Sequence, residues 1–489
     1  MATILCQGPG VMQTDLSLSA EPWSTCLRLF ALFPITVVLL LCSQAFAEVE
    51  FGVDIDLGVI RSNNILLAPD GEEQSETVYT IAPQFYLTSD DDRFQANIRY
   101  LPQAFIYSEF EDADEVFHTL DASLTTVLVR DKFFLALDAT NFQSVVTPDA
   151  RVPSSNLPIS GNRTDARVLR ARPYWQQRLG QADLLIEAAY TDFEYDDSQY
   201  QSSNARDGYL QLGNIQRQQG FAWQIDYRYR RTEYEISAPW EFQRAALNLG
   251  AWINGSTRLF VAGGAETSFD DVLSSNMDAD FWEAGFQYAP NQRLNLEVAA
   301  GDRSYGTSFR GNFSYQLKRG EFALTYNEGP ANRSELLTDR GPITSSDNLD
   351  GLLDRAGESD RFVRKRGEFR ANAELSKSDL TVRIFSETRE LRSTAEGDIL
   401  GDEELSGAAV SWSWRFGNKT TLGVGADFAR RNQSGFDDEL RRAEINFNYQ
   451  LTQKLGLRLE AARFDQKGKE SSDLDYAENQ YRLFLRTSF

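Results

Sequence analysis

Charged side chains recur at every second position in several stretches of this sequence, spaced by apolar or aromatic residues. Asp226, Arg228 and Arg230 alternate with Ile225, Tyr227 and Tyr229, and Arg458 and Glu460 with Leu457 and Leu459. Arg482 and Arg486 alternate with Tyr481, Leu483 and Leu485. Arg170, Arg172, Asp54, Arg370, Arg415 and Glu444 stand in the same kind of register. Facing rows of guanidinium and carboxylate can line a hydrated passage whose transverse field guides polar or anionic solutes. They can equally be cross-strand ion pairs that hold a sheet rigid. Spacing leaves both readings open.

Covalent and metal chemistry have little to work with. His118 is the single histidine, and Cys6, Cys26 and Cys42 all lie in the first 47 residues. The sequence has no nucleotide-binding glycine loop, G-x-S-x-G elbow or H-E-x-x-H motif. A lone histidine without cysteines cannot complete a metal cage. A Ser-His-Asp arrangement at His118 is the one hydrolytic option. Acidic runs at Asp112, Asp114 and Glu115, at Asp270 and Asp271, and at Asp437, Asp438 and Glu439 offer oxygens to calcium or are solvated loop faces. Asp347 to Gly351 looks faintly like an EF-hand loop, with its oxygens at the wrong spacing. Catalytic residues, metals and cofactors are therefore not expected.

The elements that would position the charged rows are strands, because alternation with a period of two gives a sheet two different faces. Phe51, Val53, Ile55, Leu57 and Val59 alternate with Gly52, Asp54, Asp56 and Gly58. Val410, Trp412, Trp414 and Phe416 alternate with Ser411, Ser413 and Arg415. Tight turns are predicted at 89–93, 130–132, 179–182, 218–220, 254–257, 290–293, 318–321, 376–379, 417–419 and 452–454. Looser polar stretches lie between them, such as 62–74, 147–165, 195–205, 330–361, 392–403 and 465–474. Ten tight turns and eleven looser loops imply about 22 antiparallel strands, within a range of 20 to 24. A propeller would show internal repeats of about 40–50 residues, and none is visible. Apolar stripes about five residues long suit a tilted strand crossing a lipid band about 25 Å tall. Trp175, Trp282, Tyr288, Trp414 and Tyr449 stand at stripe ends, where an interfacial girdle places aromatics. The predicted fold is all-β: one transmembrane barrel with short periplasmic turns, longer outer loops and both termini periplasmic.

Residues 29–42, LFALFPITVVLLLC, followed by Ala45-Phe46-Ala47, read as a signal peptide cleaved after Ala47. The barrel domain is then 48–489. The whole chain has 49 basic and 72 acidic residues; without Arg28, Asp15 and Glu21 these become 48 and 70, a net charge of −22. Such a surface repels nucleic acid. Its expected surroundings are outer-membrane lipid and lipopolysaccharide.

The chain ends YRLFLRTSF, with Tyr481, Leu483, Leu485 and Phe489 on one face. A last strand ending in Phe resembles the signal read by the outer-membrane barrel assembly machinery, an expected partner. Thr487 is less apolar than that signal has at its third position from the end. Pairing this strand with residues 51–59 would remove both open edges. A 22-strand lumen is wide, and the mature chain as read here has no N-terminal plug, so narrowing falls to loops. The longest, 329–360, carries Leu336, Leu337, Leu349, Leu352 and Leu353 and is the expected constriction.

Two stretches resemble a known family. RSNNILLAPDGEEQSETVYTIAPQ (residues 61–84) is similar to the start of outer-membrane barrels associated with the PEP-CTERM/exosortase sorting system. Asn63-Asn64 stands where those have Asp-Asn, while Leu67-Ala68-Pro69, Gly71 and Glu73 match. SNLPISGNRTDARVLRARPYWQQRLG (155–180) matches their G-N-R-T-D strand start and Arg-Leu-Gly turn. The resemblance implies a non-enzymatic protein of a Gram-negative envelope that makes exopolysaccharide, a gated pore or scaffold working with polysaccharide export components. The residues themselves also admit a diffusion porin for small polar solutes and, more remotely, an outer-membrane hydrolase.

Overall fold

The computed structural model of the chain describes residues 49–489, apart from 148, 198, 215–219, 271–278, 341–351, 353–360, 394–401, 434–435 and 469–473. Residues 1–47, which read as a signal peptide, lie outside the described residues, as do the EF-hand-like stretch and Asp271. Twenty-two strands form a single antiparallel sheet. They run from β1 (Val49–Ser62), β2 (Glu76–Asp90), β3 (Phe94–Tyr107) and β4 (Glu115–Val129) to β21 (Leu455–Gly468) and β22 (Tyr476–Ser488). Strand β22 pairs back onto β1, with Asp54 opposite Ser488 and Ser62 opposite Gln480. The sheet is closed. Closure satisfies the backbone of both end strands, as lipid requires.

The two faces follow the alternation. Tyr481, Leu483 and Leu485 are exposed outward with Phe51, Leu57 and Val59. Inward, Arg486 meets Asp56, and Phe484 lies over Gly58. A Cβ on Gly58 would come within 2.4 Å of the Phe484 ring, so the seam needs a glycine there. Trp282, Tyr288, Trp414 and Tyr449 also face outward. Where the apolar band ends toward the long loops, the outer face turns ionic, with Arg463–Asp465 at 2.7 Å, Arg441–Glu439 at 2.6 Å and Arg430–Asp437 at 2.7 Å.

All ten predicted tight connections lie on one rim, and the chain enters β1 and leaves β22 at that rim. One of them, 214–220 between β8 (Ser203–Gly213) and β9 (Phe221–Tyr234), is longer than expected. On the other rim, two of the eleven connections expected to be loose are two-residue links, 304–305 and 434–435. The Asp437–Glu439 run therefore belongs to β20 (Phe436–Gln450), not to a loop. Asp437 and Glu439 pair on the outer face, whereas Asp438 points inward and is buried.

The hydrophobic core is inside the barrel. Leu67, Val152 and Leu352, from three long-rim connections, pack against Phe385, Leu405, Ala429, Leu440, Phe464 and Tyr476 of consecutive strands. These strands include β17 (Ser378–Ser393), β18 (Glu403–Arg415) and β19 (Thr420–Gln433). A second cluster joins Ile65 and Leu157 to Ile60, Val78, Phe105, Tyr107, Phe117 and Phe484. The constriction expected from 329–360 alone is thus built by three connections, two of which read as surface loops in the sequence.

Candidate functional site in the lumen

The predicted lumen residues all stand on the inward face. Arg486 makes a two-pronged pair with Asp56 at 2.7 and 2.6 Å. Glu460 is shared by Arg458 at 3.1 Å and Arg482 at 3.3 Å. Arg415 pairs with Asp379 at 3.4 Å near the short-turn rim and is half exposed. Arg172 reaches Glu187 at 3.9 Å, and Arg230 bonds Asp207. Asp226 accepts from Gln224 and Asn248 at 3.2 Å each, Glu444 lies over Gly425, and Arg170 lines a small cavity. Most of the charged rows are therefore paired.

His118 sits on the other face. Its neighbour Phe117 is buried inside, so the imidazole faces outward, stacked on Tyr100 and 2.8 Å from its hydroxyl. No serine is among its hydrogen-bond partners in the described residues.

Two structures fill the lumen toward the long-loop rim. The first is made by connections 63–75 and 146–162. Asn64 clamps its own loop: its amide donates to the Ala68 carbonyl at 2.8 Å and its oxygen accepts from the Ala68 N–H at 2.8 Å. The same amide donates to the Ala477 carbonyl of β22 at 3.0 Å. This holds Leu67, at a left-handed φ of 52°, inside the core. Asn162 does the same for the second loop, accepting from Thr147 at 2.9 Å and donating to Thr147 and Arg151 at 2.7 and 3.1 Å. Arg163, the first residue of β6 (Arg163–Leu179), donates to the Ser155 and Pro158 carbonyls at 3.0 and 2.6 Å. The loops join where the Ile159 N–H donates to the Ile65 carbonyl at 2.9 Å. Val152 donates to Gln466 at 2.7 Å and accepts from the Tyr476 hydroxyl. The Asn-Asn and G-N-R-T-D stretches, far apart in sequence, thus converge on one hydrogen-bonded stopper.

The second is helix α1 (Arg333–Arg340), directly after β15 (Gly320–Asn332). Asn332 caps it, accepting from the Glu335 N–H at 2.8 Å. Arg333 reaches Glu403 of β18 at 3.3 Å, while Ser334 meets Ser203 of β8 at 3.1 Å and Glu335 pairs with Arg230 of β9. In a ring of 22 strands, β8 and β18 stand nearly opposite. One turn of helix therefore bridges the lumen. Leu336 and Leu352 are buried, as expected of a constriction; the side chains of Leu337, Leu349 and Leu353 lie outside the described residues.

Below α1's Arg333 is an ionic hub. Glu403 takes Arg333 and Arg389, the latter at 3.0 Å; Arg389 continues to Glu387 at 2.6 Å. Glu387 also receives Arg364 and Arg366 at 2.8 and 2.6 Å. Arg389, Glu387 and Glu403 are 0 % exposed, so each charge depends on its partners. Arg431, equally buried, ties Asp438 at 2.8 Å to Asp149 of the two-loop stopper. Sequence reading missed this hub because its members come from β16 (Arg361–Glu374) through β20 and meet only in the closed sheet.

No protein-family model matches the sequence, and no curated protein matches it. Solved structures do. The chain is similar to the FrpB iron transporter from Neisseria meningitidis, F3-3 variant, at TM-score 0.50 and 10 % identity, covering 90 % of this chain and 81 % of that one. The apoprotein form of the F5-1 variant gives TM-score 0.50 and 9 % identity over the same shares. The siderophore receptor PirA from Acinetobacter baumannii, at TM-score 0.47 and 7 % identity over 89 % and 80 %, is too distant to add weight. The likeness fixes the fold. It is the closed 22-strand architecture of outer-membrane barrels.

Proposed function

We propose that this protein is a non-enzymatic transport barrel of the outer membrane, with its long loops outside, whose lumen is closed by its own loops and opened by movement of α1. The observation that carries this is the bridge made by Arg333, Ser334 and Glu335 between opposite walls, above a lumen lined with charged and polar side chains. A scaffold would not need a charged, polar interior beneath a stopper. In the finer form of the proposal the cargo is a polysaccharide chain, and the protein belongs with an exosortase-associated envelope system, as the two matching stretches imply. Carboxylates, guanidinia and the stacked Phe134–Tyr174 pair inside the lumen suit a sugar polymer.

Single-channel conductance of the refolded barrel in planar bilayers tests the reading. The variant Ser334→Gly, Glu335→Gly, Leu336→Gly removes α1's contacts with β8 and β9 while leaving Arg333 on Glu403. Large conductance in that variant alone supports the gate. Large conductance in the unaltered protein makes it an open diffusion porin, and silence in both makes it a scaffold.

A further inference from the structure

Three pairs of arginines stand directly opposite one another on neighbouring strands of the lumen wall. Arg364 faces Arg389 and Arg370 faces Arg383, both between β16 and β17. Arg228 faces Arg244, between β9 and β10 (Trp240–Asn254). Like charges directly opposite are unfavourable unless something neutralises them. In the first pair Glu387 lies between the two guanidinia, at 2.8 Å from Arg364 and 2.6 Å from Arg389. In the second, Glu368 does the same, bonded to Arg370 and 3.4 Å from Arg383.

The third pair has no bridging carboxylate among the described residues. Glu266, opposite Arg244 on β11 (Thr257–Asp270), is already held by Arg303 at 2.6 Å and by Ser304 at 2.7 Å. Asp226, two residues before Arg228, accepts from Gln224 and Asn248 instead. The two guanidinia lean apart: Arg228 lies 5.8 Å over the Tyr209 ring of β8, and Arg244 lies 4.5 Å over the Phe281 ring of β12 (Ala279–Asn291). The Arg244 Nε–H is buried without a partner. Leaning apart, they leave the lumen face between them without a bridging group, one inward position from Arg230, which carries α1's Glu335.

We propose that the lumen face between Arg228 and Arg244 binds an anionic group of a solute, a carboxylate or a phosphate, immediately beneath α1. Carboxylate and phosphate oxygens match guanidinium forks, and a group bound there supplies the bridging charge that Glu387 and Glu368 supply elsewhere. The proposal rests on the reading of the lumen as a passage for solute.

Isothermal titration of the refolded barrel with inorganic phosphate, sodium glucuronate and neutral methyl glucoside tests it. The expected result is saturable binding of at least one anion and none of the glucoside. In the double variant R228Q/R244Q that binding weakens at least tenfold. The double variant R441Q/R463Q, which removes the same charge from the outer face, leaves it unchanged. Phosphate alone points to a phosphorylated cargo, glucuronate alone to a uronate-bearing one. Equal affinity in R228Q/R244Q, or no anion binding to the unaltered protein, overturns the site. Binding to a barrel silent in both conductance arms keeps the site and removes the passage; conductance without binding does the reverse.

Discussion

The two fillings of the lumen are built from different forces. The stopper formed by residues 63–75 and 146–162 is held mostly by side-chain amide and backbone hydrogen bonds, with Arg163 and the Arg431–Asp149 pair as its charged contacts, and by Ile65, Leu67, Val152 and Leu157, all at most 1 % exposed. Helix α1 is held to the walls by ion pairs and one serine–serine contact, with Leu336 as its buried apolar anchor. The first kind of attachment melts only with the barrel. The second can be broken one pair at a time. A fixed wedge and a detachable latch therefore share one lumen, and only the latch spans it.

The largest test of that contrast is the hub below the latch. Glu403→Ala leaves Arg333 and Arg389 buried without their shared carboxylate, and the expected loss is about 3–5 kcal/mol. Urea titration of the folded, heat-modifiable gel band measures it; a loss below about 1 kcal/mol would mean that water already reaches the hub. Next is Asn64→Ala, which strands the Ala68 N–H and two carbonyls and should cost about 2 kcal/mol. That loss should be the same in low and high salt, and the variant should stay non-conducting. Channel openings in Asn64→Ala would erase the distinction between wedge and latch. Glu335→Gln weakens a partly exposed pair with Arg230, worth about 1 kcal/mol at most. It should raise the open fraction several-fold while leaving the urea midpoint almost unmoved, a combination recordings and titration can check together. The smallest effect is that of ionic strength: between 0.1 and 1 M salt the Glu335–Arg230 contact weakens while the fully buried hub does not. Openings should become modestly more frequent with no change in unfolding.

The barrel itself was legible because alternation is a local property. Strand faces around Ile225, Val410 and Leu459 can be read from a handful of residues, and ten turn positions follow from where the stripes break. The long-rim connections are different. Val152 sits in polar surroundings that look like any surface loop, and the Ile65-Leu66-Leu67-Ala68 run, between Asn64 and Pro69, is too short to say by itself that the chain turns inward. Asn64 and Asn162 were the available signals, since both lie in the stretches that carried the family resemblance, but their role as clamps appears only once Ala68 and Thr147 are folded around them. The hub was illegible for a geometric reason: Arg333, Glu387, Arg389 and Glu403 come together through strand register and loop folding. The Asp437–Glu439 run misled in the opposite direction, because three consecutive acids look like a loop, yet a strand can send its middle member to a buried arginine and the other two to the outside.

The glycine at position 58 has a consequence for how the barrel is made. Opposite Gly58, β1 leaves room for the Phe484 ring; two residues either way, on the same face, stand Asp56 and Ile60, and the space over Gly52 is taken by Tyr86. Side-chain parity already forbids a slip of one, because it would turn every apolar residue of β22 inward. The ring forbids a slip of two. When the last strand reaches the first, the ends can therefore meet in many places but lock in only one, and a mis-set closure is left with an unseated ring, free to part and try again. Barrel completion carries its own proofreading, written in a missing methyl group.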